Sequence, residues 1–351
     1  FLLISNLSTW HAYNCWGGIS RYRDFYKYPL NGVPDYFSWK RKLKIKFLKF
    51  LSILLKTNKK SNLNYEIEIL NQKISTVRPM INNWLSTKTS TDKYFDHLSA
   101  HEWRGISWLK KNNIDFDLVS DSDLGEIKKK DLTYKCVIIS GHAEYWTKKS
   151  IKSIVNIIKS SMISFVSLSG NSFYQEVKYF KNNKILFKNN KINEIMPTFK
   201  KIYPLYTDTN IKSFSYFKIK KNKLNHWILK NVLNKKKELT SFGKNTLIHH
   251  SSIKEKYYYD SSLPNGKKNI KKKFYGSSGW EVDKFVNEYH NFEIIASGRN
   301  KGEGAVLAIK EYNKKIIFFV SSMIFIGSLL IDKVASNIVL NLIKKILKKV
   351  K

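Results

Sequence analysis

Apolar and polar positions along this chain follow two periods. Short apolar runs of strand length recur at residues 1–4, 114–120, 136–139, 164–168, 292–296, 304–309 and 316–320. Other stretches repeat apolar residues every three or four positions, as amphipathic helices do. Residues 101–112 do so through Trp103, Ile106, Trp108 and Leu109. Residues 151–160 use Ile151, Ile154, Val155 and Ile158, with Thr147 placed to cap the start. Residues 335–350 use Ile338, Leu342, Ile346 and Leu347. Strand, helix, strand, helix in this order predicts a doubly wound α/β fold with a mostly parallel sheet.

The run at 136–139 is organised as a buried central strand, which Gly141 is expected to end. His142, Glu144, Tyr145 and Trp146 follow, all side chains able to move protons, bind metal or stack. Open α/β sheets place their sites at the carboxyl ends of such strands. Residues 5–18, rich in Ser, Asn, Trp and Gly, read as a conformationally demanding loop. The apolar run at 316–331 holds three serines and a glycine, is short for a membrane span, and fits a buried strand plus loop.

Two segments stand apart. Residues 40–60 are basic and amphipathic, with Leu43, Phe47, Phe50, Leu51 and Leu54 on one helical face. They read as an insertion packed on the body, with an interfacial membrane helix as the other reading. Residues 181–275 lose the clear periodicity and read as an inserted subdomain of a single 1–351 domain.

Composition changes this picture little. Hydrophobic content of 42%, with 14% aromatic, can fill a large core and excludes global disorder. The net charge of +36 comes almost wholly from lysine, since arginine supplies six residues, and the lysines are spread along the chain. That spread argues for compositional bias rather than a specific nucleic-acid surface. No membrane-surface role is expected either. No signal peptide is visible, so a cytoplasmic location is expected. Two cysteines exclude a disulfide framework, and neither Cys15 nor Cys136 sits in a nucleophile elbow. The abrupt apolar start reads as a cut from a longer chain.

Several phrases together resemble one family. They are Thr9-Trp-His-Ala-Tyr-Asn-Cys-Trp-Gly-Gly-Ile-Ser20, Val77-Arg-Pro79, Trp108-Leu109 with Asp121 to Leu124, Gly141-His-Ala-Glu-Tyr-Trp146 and Leu168-Ser-Gly-Asn171. His226-Trp227, Phe242-Gly243 and Gly279-Trp-Glu-Val-Asp283 follow in the same order. The chain is similar over nearly its whole length to the C-terminal, catalytic region of N,N-dimethylformamidase large subunits and their relatives.

The resemblance implies a flavodoxin-like, class I glutamine-amidotransferase-like fold, an upstream β-rich domain, and hydrolysis of small amides at a mononuclear iron held by two tyrosines and a glutamate. It implies a small-molecule substrate and either a homo-oligomer or a small accessory subunit. On the matching positions, Tyr145 and Glu281 are the candidate metal ligands, with Glu144 as the alternative carboxylate. The family's tyrosine after Arg-Pro falls on Met80, which leaves Tyr13 as the other matched phenol. His142, Glu144 and His226 are the candidate general bases or orienting groups. The alternative is a non-catalytic member of the fold that binds a saccharide or another small ligand through Trp10, Trp16, Trp146 and Tyr174.

Overall fold

Two-sided burial explains the apolar run at the centre of the chain. The computed structural model describes residues 1–14, 21, 73–78, 80, 96–128, 131–160, 162–200, 202–232, 240–247, 276–286, 291–301 and 304–349. The segment 40–60 lies outside them, as does much of 181–275. In the central strand β4 (Cys136–His142), Cys136 and Ile138 face one hydrophobic cluster while Val137 and Ile139 face a second. A strand covered on both faces gains from apolar residues at every position, so it reads as a run rather than an alternation.

β4 lies between β1 (Leu2–Ser5) and β6 (Ser164–Gly170), parallel to both. β3 (Asp117–Ser120) and β15 (Ile316–Val320) extend the parallel half on either side. Three helices cover it. α2 (Asp96–Lys111) and α4 (Lys333–Lys349) supply Trp108, Leu109, Ile338, Val339 and Leu342 to the first cluster. α3 (Lys148–Ser160) supplies Ile151, Ile154, Ile157 and Ile158 to the second. Thr147 does cap α3, its Oγ1 accepting from Ser150 N at 3.1 Å.

The sheet departs from the mostly parallel expectation. Beyond β15 it continues through β14 (Val306–Glu311), β13 (Glu293–Gly298), β10 (Phe217–Ile219) and β11 (Ser241–Phe242), each antiparallel to its neighbour. The reason is connection length. Only a few residues separate β13 from β14 and β14 from β15, and a parallel crossover needs a dozen or more. The protein is therefore a mixed α/β fold with a large, half-parallel sheet. Strands β10 and β11 come from within 181–275.

Three further expectations change. The strand does not stop at Gly141. It runs on to His142, and Gly141 adopts φ +76°, where a side chain would press on Cβ of His101. The expected loop at 5–18 begins instead as a helix, α1 (Leu7–Tyr13). Its start is held from elsewhere in the chain: Asp121 accepts from Ser8 N at 3.1 Å, and Glu102 accepts from Asn6 N at 2.8 Å. The apolar run past β15 likewise forms a buried helical turn, Met323–Leu330, rather than a loop. Among the described residues no single helix is long and apolar enough to cross a membrane.

A smaller sheet joins β2 (Ile74–Ser75), β8 (Lys184–Lys191), β7 (Gln175–Phe180) and β5 (Tyr145–Thr147), and a two-stranded ribbon pairs β9 (Leu205–Ser215) with β12 (Ser278–Phe285). The ribbon matters for function because β12 crosses the carboxyl ends of β6 and β15. Asp283 N donates to Ser321 O at 3.1 Å, and Val282 bridges Ser322.

Candidate functional site

The carboxyl ends of the parallel strands carry polar residues in a row: Asn6 after β1, Asp121 after β3, His142 at the end of β4, and Asn171 after β6. Apolar strand bodies give way to polar tips because the helices cover the bodies and not the ends.

Two of these strand ends, those of β4 and β6, meet β12 at His142. Its Nε2 lies 2.7 Å from Glu281 Oε2 on β12 and 3.3 Å from Glu144 Oε2, two residues further along its own segment. Asn171 Nδ2 reaches the same Glu281 oxygen at 3.0 Å and approaches His142 Nε2 at 3.3 Å. Tyr13 closes the group from α1. Its hydroxyl donates to Glu144 Oε2 at 3.4 Å, and its ring meets the imidazole edge-on at 5.4 Å. Glu144 is fixed from its backbone as well, because its N–H donates to Thr9 Oγ1 at 3.0 Å. Glu281 is the opening of the cluster, with 17% of its side chain exposed against 1% for His142.

Burial works against charging His142, but the carboxylates of Glu281 and Glu144 outweigh it and push the imidazole up to about 10. His142 is therefore an imidazolium at neutral pH, held between two carboxylates. Such a group can donate a proton or polarise an oxygen, and a neighbouring carboxylate can accept a proton.

Near this cluster lies a further buried carboxylate, Glu102, on α2. It accepts from Ser5 Oγ at 2.8 Å, Asn6 N at 2.8 Å and Trp10 Nε1 at 2.9 Å. Desolvation pushes it up to about 7 in spite of those donors. Nothing in the sequence marks Glu102, because a lone acidic residue in an amphipathic helix reads as a solvated face. Asn171 stood in a quoted motif without a role. Its signal was available in a Ser-Gly-Asn step at a strand end.

The other predicted residues fall elsewhere. His226 precedes a short helical turn, accepts from Ile228 N at 3.3 Å through Nδ1, and lies tilted against the Trp227 ring at 5.1 Å. Trp227 bonds Glu311, which lies beside the first residue of β15 and hence at the sheet end opposite the cluster. His226 is thus not brought to His142. The ring of Tyr145 packs edge-on to Phe187 within an apolar group that includes Ile74, Leu98, Val177 and Ile185. Trp146, proposed as a stacking platform, is fully buried against Phe173. Trp16 lies outside the described residues. Cys136 is buried, and burial pushes its thiol up, which agrees with its exclusion as a nucleophile.

The iron set implied by the resemblance does not fit this arrangement. Of its three candidates, Tyr13 lies against Glu144, Glu281 lies against His142 and Asn171, and the Tyr145 ring packs in one cluster with Tyr13, Phe187 and Ile185. The position of the family's other tyrosine is Met80, whose sulfur accepts from Asn14 Nδ2 at 3.3 Å beside the end of α1. A neutral thioether is a poor ligand for ferric iron, which prefers hard anionic oxygen. Among the described residues no group of three or more His, Cys, Asp or Glu side chains is arranged to hold a metal ion.

The protein is an α/β protein in which an imidazole at the end of a parallel strand meets two carboxylates at one buried point, one from its own segment and one from β12. Its family can be stated more closely. The chain belongs to the N,N-dimethylformamidase beta subunit-like, C-terminal family, whose model matches residues 1–337. No curated protein matches it in sequence. Among solved structures it is similar to a protein named as ThuA-like from Bacteroides uniformis, at 13% identity over 69% of this chain and 82% of that one, with a TM-score of 0.40. A cytoplasmic protein from Salmonella typhimurium is similar at 11% identity over 69% and 85%, with a TM-score of 0.39.

Proposed function

We propose that this chain hydrolyses the carbon–nitrogen bond of a small amide by acid–base chemistry at His142, Glu144 and Glu281. Membership of a dimethylformamidase-like family supports the reaction class. The observation that carries the reading is the convergence of two carboxylates on the buried imidazole of His142, at 2.7 and 3.3 Å.

In this reading Glu281, the most open of the three, takes a proton from a water as its oxygen adds to the substrate carbonyl. The carbon–nitrogen bond breaks as His142 gives its proton to the leaving nitrogen. The proton held by Glu281 then returns to His142 across their short contact. One water and one amide yield one carboxylic acid and one amine. Glu144, steadied by the Tyr13 hydroxyl and Thr9, keeps the imidazole charged and oriented. No step passes through iron.

The test is hydrolysis of acetamide and N-methylacetamide by His142→Gln. General acid–base catalysis contributes on the order of a hundredfold or more, so a loss of at least that size is expected with the thermal transition retained. Unchanged turnover in a folded variant would remove His142 from the chemistry.

A further inference from the structure

Helix α1 is seven residues long, and a helix of that length does not hold itself together in water. It nevertheless delivers two side chains to the cluster. Thr9 Oγ1 accepts from Glu144 N at 3.0 Å and from Tyr145 N at 3.3 Å. One turn on, the Tyr13 hydroxyl donates to Glu144 Oε2 at 3.4 Å, and its ring meets the imidazole of His142 at 5.4 Å. Residues four apart share one face of a helix. The fit of Thr9 and Tyr13 against Glu144 therefore depends on how α1 is turned about its own axis.

The residue before Thr9 is gripped from outside the helix. Ser8 N is one of the opening amides, which have no partner within a helix. Both carboxylate oxygens of Asp121, beyond the tip of β3, lie 3.1 Å from it, and Oδ1 also accepts the Ser8 hydroxyl at 3.1 Å. Ser8 Oγ lies 3.1 Å from the Tyr179 hydroxyl on β7, which donates to it once its own hydrogen is given to Asp121. Asp121 N in turn donates to Ser5 O at 2.8 Å. Asp121 and Ser8 are both buried, so water does not replace these bonds when they break. Asn6, the residue before α1, makes no capping bond with its side chain. Turning α1 would break buried bonds at Ser8.

We propose that Asp121 is a positioning residue for the reaction at His142. Its grip on Ser8 fixes the rotation of α1 and so seats Thr9 and Tyr13 on Glu144, the carboxylate that orients the imidazole. The consequence for rate rests on the hydrolase reading. The placement of Tyr13 rests on the geometry of α1 alone.

The experiment is a double-mutant cycle on acetamide hydrolysis with Asp121→Ala, Tyr13→Phe and the two combined, beside Asp121→Asn. Tyr13→Phe removes the hydroxyl that steadies Glu144 and is expected to lower kcat roughly tenfold, the size of one lost hydrogen bond to a charged group. Asp121→Ala is expected to lower kcat by about the same factor while KM stays within about twofold. In the Asp121→Ala background, Tyr13→Phe should cost less than about threefold more, because the hydroxyl has already left Glu144. A merely structural role for Asp121 would leave the Tyr13→Phe effect at full size. Asparagine retains Oδ1 and its two bonds from Ser8, so Asp121→Asn should keep kcat within about threefold of wild type.

Losses that multiply in the cycle overturn the proposal, and so does an Asp121→Asn protein as slow as Asp121→Ala. Should Asp121→Ala not fold, Ser8→Ala, which removes the hydroxyl half of the contact, replaces it in the cycle with the same two readings. Should the wild type hydrolyse neither acetamide nor N-methylacetamide, the hydrolase reading fails by itself, and a crystal structure of the folded variant decides the placement. Tyr13 displaced from Glu144 then supports the role of Asp121. Thr9 and Tyr13 in their wild-type contacts overturn it.

Discussion

The carbonyl of Glu281 crosses directly over Gly170, so close that a Cβ on residue 170 would fall well inside van der Waals contact with it. Met323 N, at 2.5 Å from the same point, closes the other side. Both neighbours are backbone, so neither can swing away. Gly170→Ala is therefore expected to push β12 off the end of β6. Overpacking of this kind costs roughly 1–3 kcal/mol, and here it also displaces Glu281 from His142. A lowered thermal midpoint together with lost amide hydrolysis is the expected result. A variant that melts and turns over like wild type would show that β12 does not seat there.

The stability of the protein should carry the signature of His142. In the unfolded chain the imidazole releases its proton near 6.5, while in the fold it holds it to about 10. The raised value means that its contribution is complete below about pH 6.5 and is lost as the pH rises toward 10. Glu281→Gln removes the largest of the forces that raise it. Denaturant titrations at pH 6 and pH 9 should show a smaller loss of stability for Glu281→Gln than for wild type. Equal losses would mean that the pair does not exist in solution.

Glu102 has the opposite chemistry and the same direction of effect. Its carboxyl ionises near 4.5 when unfolded and is pushed up to about 7 by burial. The fold retains a proton that the unfolded chain gives up, so stability falls as the pH rises from 4.5 to 7. Glutamine can keep all three hydrogen bonds: Oε1 serves Asn6 N and Trp10 Nε1, and the new amide donates to Ser5 Oγ, whose own hydrogen turns away. Glu102→Gln is thus expected to match wild type at pH 5 and exceed it at pH 8 in chemical denaturation. A variant less stable than wild type at both values would count against a neutral requirement at this position.

Met80 bears on the metal. With a thioether at the position where the family resemblance implies a phenol, the wild-type chain is expected to take up less than about a tenth of an equivalent of ferric iron after reconstitution and dialysis. Met80→Tyr should raise that uptake, because position 80 abuts Asn14, next to Tyr13 in the cluster. Stoichiometric iron in the wild type, by elemental analysis, would restore the iron-centred reading.

The central strand and its flanking helices were legible because each obeys a local rule. The apolar run at 136–139 and the threefold to fourfold spacing in 151–160 state how each segment meets the core, and Thr147 states where a helix begins. The tips of the strands were legible as chemistry for the same reason: His142 and Glu144 follow an apolar run that cannot extend into water. Helix α1 was not legible. Its first amides are satisfied by Asp121 and Glu102, and nothing within residues 5–18 reveals those partners. The antiparallel half of the sheet was hidden in a similar way, since the shortness of the turns between β13, β14 and β15 was outweighed by an alternation seen elsewhere in the chain.

By itself the sequence determined an α/β core, the position of its central strand and the family to which it belongs, because apolar periodicity and motif order are properties of neighbouring residues. Only the tertiary structure decided that Glu281 and Asn171 share His142, that His226 lies at the far end of the sheet, and that Glu102 is buried. Those are contacts between residues remote in the chain, fixed by β12 crossing β6 at a glycine, and long-range proximity leaves no periodic trace in the order of amino acids.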